Sequence, residues 1–165
     1  MSAVVDRFDA GTQPAGRPGA PGRLAYAQAF LNTFWDLDGD GDEVWTSPAA
    51  YGAWLRARGF RGAPSGADLA RAVAPSAALT PCLSTGALDP AGDGPDAACA
   101  LVLAIVFAAR ADGTFRRLKA CPHAHCGWAF YDSSRNRSGQ WCSMRICGNR
   151  TKGETFRRRH AVPRA

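Results

Sequence analysis

The sequence predicts an α+β protein, with a mainly α-helical N-terminal domain followed by a small module that combines a β-hairpin and a helix. Apolar residues recur at helical spacing through much of residues 1–109. Four of the six cysteines form two equally spaced pairs in the last third of the chain. Positive charge is concentrated in the same region: residues 110–165 hold 13 Lys and Arg against 3 Asp and Glu, whereas residues 1–109 hold 7 against 11.

The N-terminal region divides into a leader and a helical domain. Residues 1–22 end in the stretch TQPAGRPGAPG, whose Pro and Gly content predicts a disordered leader. The helical domain is predicted over residues 23–112. Its first helix lies in RLAYAQAFLNTFWD (23–36), where Leu24 and Leu31 are part of an apolar pattern with helical spacing.

The middle of this domain is short and rich in loops over residues 60–95. Before it, Ser47 and Pro48 predict the N-cap and first turn of a second helix, which Gly59 ends. A short helix is predicted at 68–74, and the Gly- and Pro-rich stretch that follows predicts a loop or linker.

The longest helix of the chain is predicted over about residues 97–111. We expect Asp96 to cap it, and Asp112 with Gly113 to end it. Its apolar run of thirteen residues is too short for a membrane span, which needs about 20. With no recognisable secretory leader either, we expect a cytoplasmic protein without a membrane partner.

The acidic stretch DLDGDGDE after the first helix resembles the start of a calcium-binding loop. The matching positions are Asp36, Asp38, Asp40 and Gly41. The second half does not match, because Glu43 stands where an aliphatic residue is usual and Ser47 stands in place of the bidentate Glu. A solvated acidic loop is therefore favoured over a calcium site.

A separate module is predicted over residues 113–160, followed by a tail at 161–165. WAFYD (128–132) and QWCSM (140–144) are predicted to be the two strands of a hairpin, with SSRNRSG as the turn between them. Asp132 is expected to pair with an arginine of that turn. The closing residues TKGETFRRRH predict a short basic helix.

The paired cysteines predict a structural zinc site. Their pattern is Cys-x4-Cys-x15-Cys-x4-Cys, formed by Cys121, Cys126, Cys142 and Cys147. Two cysteine-bearing turns joined by a hairpin provide the four soft ligands that tetrahedral Zn²⁺ requires. His123 and His125 are alternative ligands, although the equal spacing favours four cysteines. Cys82 and Cys99 are interpreted as small apolar residues of the interior.

The basic residues around these cysteines indicate a polyanionic partner, most simply nucleic acid. The candidate contacts are Arg135, Arg137, Asn149, Arg150, Lys152, Arg157, Arg158 and Arg159. Asn149 could instead occupy a left-handed turn or cap the tail helix. Trp128 and Trp141 are interpreted as hydrophobic cover for the metal site rather than as platforms for stacked bases. Cations close in sequence are expected to offset the charge of the thiolates: Arg117, Lys119, Arg145 and Arg150.

At this point the sequence resembles a known family. RLKAC (117–121), the cysteine-containing stretch 126–144 and CGNR (147–150) resemble the CGNR zinc-finger proteins, and the resemblance covers about residues 102–160. It implies that the four paired cysteines bind one zinc ion. It also implies DNA binding, since these bacterial proteins are usually described as stress-induced transcription regulators.

A weaker resemblance covers the N-terminal part. Residues 24–40, with the pair Asn32-Thr33, and residues 45–59 resemble the opening of the helical domain called ABATE, which usually precedes this zinc finger. Residues 60–95 are shorter than the helical middle typical of that domain. The resemblance implies a sensing or interaction domain with an unidentified small-molecule or protein effector.

Together these observations predict a DNA-binding transcription regulator with a structural zinc ion. A protein-protein interaction module without DNA binding is the first alternative, and RNA binding is the second. An enzyme is not expected, because no nucleophile and base are placed where a helix or turn would bring them together.

Overall fold

Helices and one two-stranded antiparallel sheet make up the part of the chain that the structure, a computed structural model, describes. The described residues are 7–34, 45–73, 91–124 and 126–160, with the backbone alone described for Phe34 and Arg71. The helices and strands, in chain order, are α1 Leu24–Leu31, α2 Pro48–Ala57, α3 Gly66–Val73, α4 Pro95–Ala111, β1 Leu118–Ala120, β2 Ala129–Tyr131 and α5 Asn149–His160. Short 3₁₀ turns lie at Pro14–Gly16, Asn32–Phe34 and Thr114–Arg117, and one π-helical turn lies at Met144–Gly148.

Helix α2 begins and ends as its sequence predicts. The Ser47 hydroxyl accepts a hydrogen bond from the Ala50 N–H at 3.2 Å, and Pro48 takes the first helical position. Gly59 follows the helix with φ +76°, the left-handed conformation that favours glycine. The predicted short helix at 68–74 is present as α3, which begins two residues earlier, at Gly66, while residue 74 lies outside the described residues.

Helix α4 differs from prediction at its N-terminus. Gly94 is the N-cap and Pro95 the first helical residue, while Asp96 lies within the first turn without capping it. The expected Asp96 cap is therefore wrong, because the fixed φ of proline starts the helix one residue earlier. The end at Asp112, followed by Gly113 at φ +79°, is confirmed. No described helix is long and apolar enough to cross a membrane.

The main core lies around α1, which is buried on nearly all sides. This helix packs against α4 and β2, and α2 and α3 complete the layer around α4. An aromatic cluster fills the space between α1 and α2, formed by Tyr26, Phe30, Trp45, Tyr51, Trp54 and Phe60. Cys99 packs against this core, with its Sγ atom 3.8 Å from the Tyr51 hydroxyl, as expected for a small interior residue.

The observed sheet differs from the predicted hairpin. β2 pairs with β1, with Lys119 opposite Phe130, and not with residues 140–144. The predicted strand at 140–144 is wrong, because Met144 already belongs to the π-helical turn that contains Cys147. The sheet has two distinct faces: Leu118 and Tyr131 pack on the helical core, whereas Phe130 packs among the paired cysteines.

Residues 7–22, predicted to be disordered, make defined contacts instead. Arg7 lies over the Phe60 ring at 4.5 Å and donates to the Arg58 carbonyl oxygen at 2.8 Å. Farther along, Ala10 and Ala20 are buried. The segment therefore reaches from the end of α2 toward the C-terminal module, and we call it the N-terminal strap.

Several sequence-based interpretations lie outside the described residues. They concern residues 1–6 of the leader, the acidic loop around Asp36–Glu43, and Cys82 with most of the predicted linker. His125 and the tail at 161–165 lie outside as well.

The aromatic core should dominate the stability of the helical part. Replacing buried Phe30 by Ala removes its contacts with Trp45 and Trp54, and we expect the free energy of unfolding to fall by about 3–5 kcal/mol. Phe107→Ala on α4 is the matched control, because that side chain is 79% exposed. Urea unfolding measures both variants, and equal losses would contradict this description of the core.

Candidate metal centre

Four cysteine sulfurs meet between the β-hairpin and the π-helical turn. Cys121 follows β1 directly, and Cys126 lies in the segment that leads into β2. Cys142 precedes the π-helical turn and Cys147 lies within it, where the Ser143 hydroxyl caps the turn. One pair is therefore positioned by the sheet and the other by the turn that opens α5.

The geometry of the cluster suits one zinc ion. All four sulfurs lie within 4.8 Å of one another, and Cys142 Sγ is 3.6 Å from Cys126 Sγ and 3.5 Å from Cys147 Sγ. Tetrahedral Zn–S bonds of about 2.3 Å imply sulfurs about 3.8 Å apart, whereas a disulfide requires about 2.05 Å. The four cysteines are free thiols and all are buried. The cluster thus fits a closed structural site for Zn²⁺.

Burial makes the charged form of most of these thiols unfavourable unless a cation is bound. Burial raises the pKa of Cys126 and of Cys142, and it raises the pKa of Cys147 to about 12. Burial acts in the same direction on Cys121, but hydrogen bonds from the backbone of Cys142 and His123 lower its pKa overall. Four thiolates require a divalent cation at their centre, and a zinc ion would leave the site with a net charge of −2.

His123 is not part of the sulfur cluster. Its side chain is buried, and its Nε2 atom lies 3.4 Å from Oε1 of Glu154 on α5. The histidine therefore contacts the last helix, and four sulfur ligands are present without it.

An apolar shell covers the cysteines, as predicted. Phe130 is fully buried among them, and Trp128, Trp141 and Ile146 pack against the same cluster half-buried. These side chains exclude water from the sulfurs and add the few apolar contacts that so short a module can make.

Arg17 of the N-terminal strap contacts the metal-binding module, which the sequence did not indicate. Its guanidinium donates to the carbonyl oxygens of Trp141 at 2.6 Å and Cys142 at 3.0 Å, and it lies over the Phe130 ring at 4.5 Å. A positive charge is thus held against the backbone of one metal ligand. Arg117 and Lys119, expected near the thiolates, instead bond to the loop after β2.

Buried amides join the strap and α1 to the same module. Gln28, fully buried, donates from Nε2 to Oε1 of Gln13 at 2.7 Å and to the Ala129 carbonyl oxygen at 3.0 Å. The Gln13 oxygen also accepts from the Trp128 indole N–H at 3.1 Å. Each of these buried amide groups has a hydrogen-bond partner. The contact between α1 and the C-terminal module is therefore specific, in addition to the apolar packing there.

Asn32 takes the place of a neighbouring strand at the outer edge of β2. Its side chain accepts from the Ala129 N–H at 2.8 Å and donates to the Ala129 carbonyl oxygen at 2.9 Å. These two groups face away from β1, because the ladder bonds are made by alternate residues such as Cys121 and Trp128. The Asn32 amide thus fixes the helical part to the strand that leads from the metal site.

The loop over residues 133–139 is organised by an ion pair between half-buried Lys119 and buried Asp132. Asp132 is fully buried and accepts from Lys119 Nζ at 2.6 Å, from Ser134, and from the Gly139 N–H. The expected pairing of Asp132 with a loop arginine is therefore wrong. Burial alone would raise the pKa of Asp132, but these hydrogen bonds hold it well below its usual range. Only glycine fits at 139, since a Cβ atom there would lie 2.7 Å from Oδ1 of Asp132.

The predicted nucleic-acid contacts lie on two exposed elements. Arg135 and Arg137 lie on the loop, and the others lie on α5: Asn149, Arg150, Lys152, Arg157, Arg158 and Arg159. Asn149 has helical backbone angles, φ −72° and ψ −38°, so the left-handed alternative is wrong. Its side-chain amide donates to the Arg145 carbonyl oxygen at 3.3 Å.

These features define a small zinc-binding module in which a hairpin and a helix are joined by four cysteines. Residues 117–160 match the family model described as CGNR zinc finger. No curated protein matches the chain. The match includes both cysteine pairs, the loop and α5, so the C-terminal part of the chain carries a CGNR zinc-finger domain with a site for one structural zinc ion.

Zinc content tests the ligand set directly. We expect about one zinc per chain, and Cys142→Ser should abolish stoichiometric binding because a closed site requires all four ligands. Cys99→Ser is the matched control, since Cys99 packs in the helical core and should leave the zinc content unchanged. Elemental analysis of the purified proteins gives the answer, and a Cys142→Ser protein with full zinc would refute the site.

The contact of Arg17 with the backbone of Cys142 should strengthen zinc binding. Arg17→Ala removes both hydrogen bonds to the ligand turn, and we expect zinc affinity to fall about tenfold or more. Arg23→Ala is the control, because Arg23 lies over the Phe8 ring and not against the finger. Competition with a chromophoric chelator measures both, and equal affinities would remove this role of the strap.

Proposed function

We propose that the protein is a zinc-dependent DNA-binding transcription regulator whose zinc finger presents a basic surface to nucleic acid. The observation that carries the proposal is helix α5. It holds five Lys and Arg against one Glu, and none of its side chains is buried. A strongly basic helix that buries no apolar face suits a partner that is a polyanion.

The metal site supports this function by fixing where α5 lies. Cys147 belongs to the turn that runs directly into the helix, and His123 contacts Glu154 about two turns farther along. Three consecutive arginines lie near the end of α5: Arg157, Arg158 and Arg159. Their positive charge interacts favourably with the helix dipole there, but the three like charges repel one another. Phosphate groups would relieve that repulsion and pair with the guanidinium groups.

The loop offers a second set of contacts. Arg135 and Arg137 are exposed on a segment whose base is fixed by Lys119 and Asp132. A fixed loop loses little conformational freedom on binding, so its arginines can contact phosphates at low entropic cost.

We further propose that the helical part is an ABATE-like domain that senses an effector and regulates transcription under stress. Its contacts with the finger support this idea, because Gln28 and Asn32 both bond to the backbone of Ala129. A small molecule or protein that shifts α1 would act on the strand next to the metal site. The proposed role is binding rather than catalysis, and we place it in the cytoplasm.

A protein partner is a second candidate, favoured by one observation. Phe156 on α5 is 63% exposed and stacks on His160 with ring centroids 4.1 Å apart. An apolar side chain among arginines suits an acidic protein surface as well as a nucleic acid. RNA competes for the same basic residues and is distinguished by comparing duplex DNA with RNA of the same sequence.

DNA binding should depend steeply on salt. Wild-type protein should bind duplex DNA with a log affinity that falls with log salt by about 0.9 for each phosphate contact. The triple variant Arg157→Gln/Arg158→Gln/Arg159→Gln should bind more weakly and with a shallower slope, because up to three such contacts are lost. Fluorescence anisotropy at several salt concentrations measures both quantities.

The matched control removes three exposed arginines of the N-terminal part, Arg23, Arg56 and Arg61, and should bind as wild type does. No duplex binding by the zinc-loaded protein at low salt would refute the DNA-binding function. Equal weakening by both triple variants would show that net charge alone, and not α5, attracts the DNA.

A further inference from the structure

A cavity lined by arginines lies between the end of α4 and the loop after β2. Its volume is about 390 Å³, and its lining residues are Arg110, Ala111, Asp112, Gly113, Thr114, Arg116, Arg117 and Arg137. We call it the arginine cavity. It joins the helical part to the zinc finger, and of its residues only Arg137 belongs to the predicted nucleic-acid contacts.

The cavity carries an excess of positive charge. Four guanidinium groups face one carboxylate, so the net charge of the lining is +3. The carboxylate is already engaged, because Oδ1 of Asp112 accepts from the Thr114 N–H at 2.8 Å and from its hydroxyl at 2.6 Å. These two hydrogen bonds keep the pKa of Asp112 below its usual value, so the group remains an anion oriented toward Thr114.

The cavity arginines are not neutralised by ion pairs within the described part of the chain. The ion pairs found there join Arg61 to Asp93, Lys119 to Asp132, and His123 to Glu154. Gathering four like charges around one concave surface raises the electrostatic energy unless an anion binds among them. The lining therefore has the charge of a binding site for an anion.

The protein positions two of the arginines, Arg117 through its side chain and Arg137 through its backbone. Arg117 donates through one nitrogen to the carbonyl oxygens of Asp132 and Ser134, both at 2.8 Å. Arg137 has φ +55°, a left-handed conformation uncommon for a residue with a side chain, and its carbonyl oxygen accepts from Lys119 Nζ at 2.6 Å. The pair of half-buried Lys119 with buried Asp132 thus fixes a strained turn from which Arg137 lines the cavity.

We propose that the arginine cavity binds a phosphate group. Planar guanidinium groups donate pairs of parallel hydrogen bonds to phosphate oxygens, and several of them around one concave surface select a multiply charged anion. The volume accommodates the phosphate with part of an attached molecule. The phosphate belongs either to a nucleic-acid backbone or to a free phosphorylated molecule, and the site does not depend on the contacts proposed for α5.

The test uses inorganic phosphate and the zinc-loaded full chain labelled with ¹⁵N, at ionic strength held constant with chloride. We expect saturable shifts of the Thr114 amide and of the cavity arginine side chains. Arg116→Gln/Arg137→Gln should weaken binding at least about tenfold, because charge-assisted hydrogen bonds are lost. Arg56→Gln/Arg61→Gln removes two exposed arginines of the N-terminal part, which line neither the cavity nor α5, and should bind phosphate as wild type does. Shifts that do not saturate, or equal weakening in both variants, would overturn the proposal.

Both double variants must retain one zinc per chain for this comparison. If Arg116→Gln/Arg137→Gln loses zinc, the variant Arg116→Lys/Arg137→Lys replaces it. This variant keeps the charge and removes the guanidinium fork. It should weaken phosphate binding at least severalfold while zinc is retained, and unchanged affinity would overturn the proposal.

A second titration with a short DNA duplex distinguishes the two sources of phosphate. A duplex that displaces inorganic phosphate from the cavity identifies the nucleic-acid backbone as the source. A duplex that leaves the cavity signals unchanged identifies a free phosphorylated molecule. If the duplex does not bind at all while phosphate still saturates, the proposed DNA-binding function fails and the phosphate site stands.

Discussion

The convergence of four buried thiolates on one cation is the constraint on which the C-terminal part of the molecule depends. Between residues 117 and 160 the buried apolar side chains that pack around the sulfurs amount to little more than Phe130 with parts of Trp128, Trp141 and Ile146. So small a cluster does not offset the loss of chain entropy on folding. The metal ion supplies the missing free energy, and it does so by joining the hairpin to the turn that opens α5. The direction of α5, and hence the position of its arginines, follows from that junction.

Hydrogen bonds near the metal site also join the helical part of the chain to the zinc finger. Asn32 completes the edge of β2, Gln28 bonds to the same residue of that strand, and Arg17 bonds to the turn that contains Cys142. Most of these groups are buried amides, whose hydrogen bonds are costly to break without a replacement partner. A disturbance of α1 therefore reaches the metal site through a few specific hydrogen bonds, and loss of the metal should loosen the contact with α1. This reciprocity is what a regulator needs if an effector acts on one part and nucleic acid binds the other.

The sequence was informative where local chemistry decides the structure. The spacing of Cys121, Cys126, Cys142 and Cys147, the Ser47-Pro48 helix start and the Gly113 stop depend on neighbours within a few residues. Prediction from the sequence failed where residues far apart in the chain determine the structure. QWCSM has the composition of a strand, yet Cys142 and Cys147 must turn toward the sulfurs of the hairpin. Residues 140–143 are therefore irregular, and a π-helical turn begins at Met144. Arg17 lies in a Pro- and Gly-rich segment whose composition suggests disorder, and its partners are 124 and 125 residues away. Gln28 looked like an ordinary helix residue because nothing nearby shows that it meets Ala129.

Hydrogen exchange of the Ala129 amide, followed with zinc bound and after exhaustive chelation under reducing conditions, tests the central claim most directly. This N–H is paired with Asn32 and belongs to β2 of the metal-binding hairpin, so its protection reports both the zinc site and its junction with α1. We expect strong protection with zinc and its loss after chelation, while the Leu55 amide within the core of α2 stays protected. Equal protection of Ala129 in both states would show that the fold of the module does not depend on the metal ion.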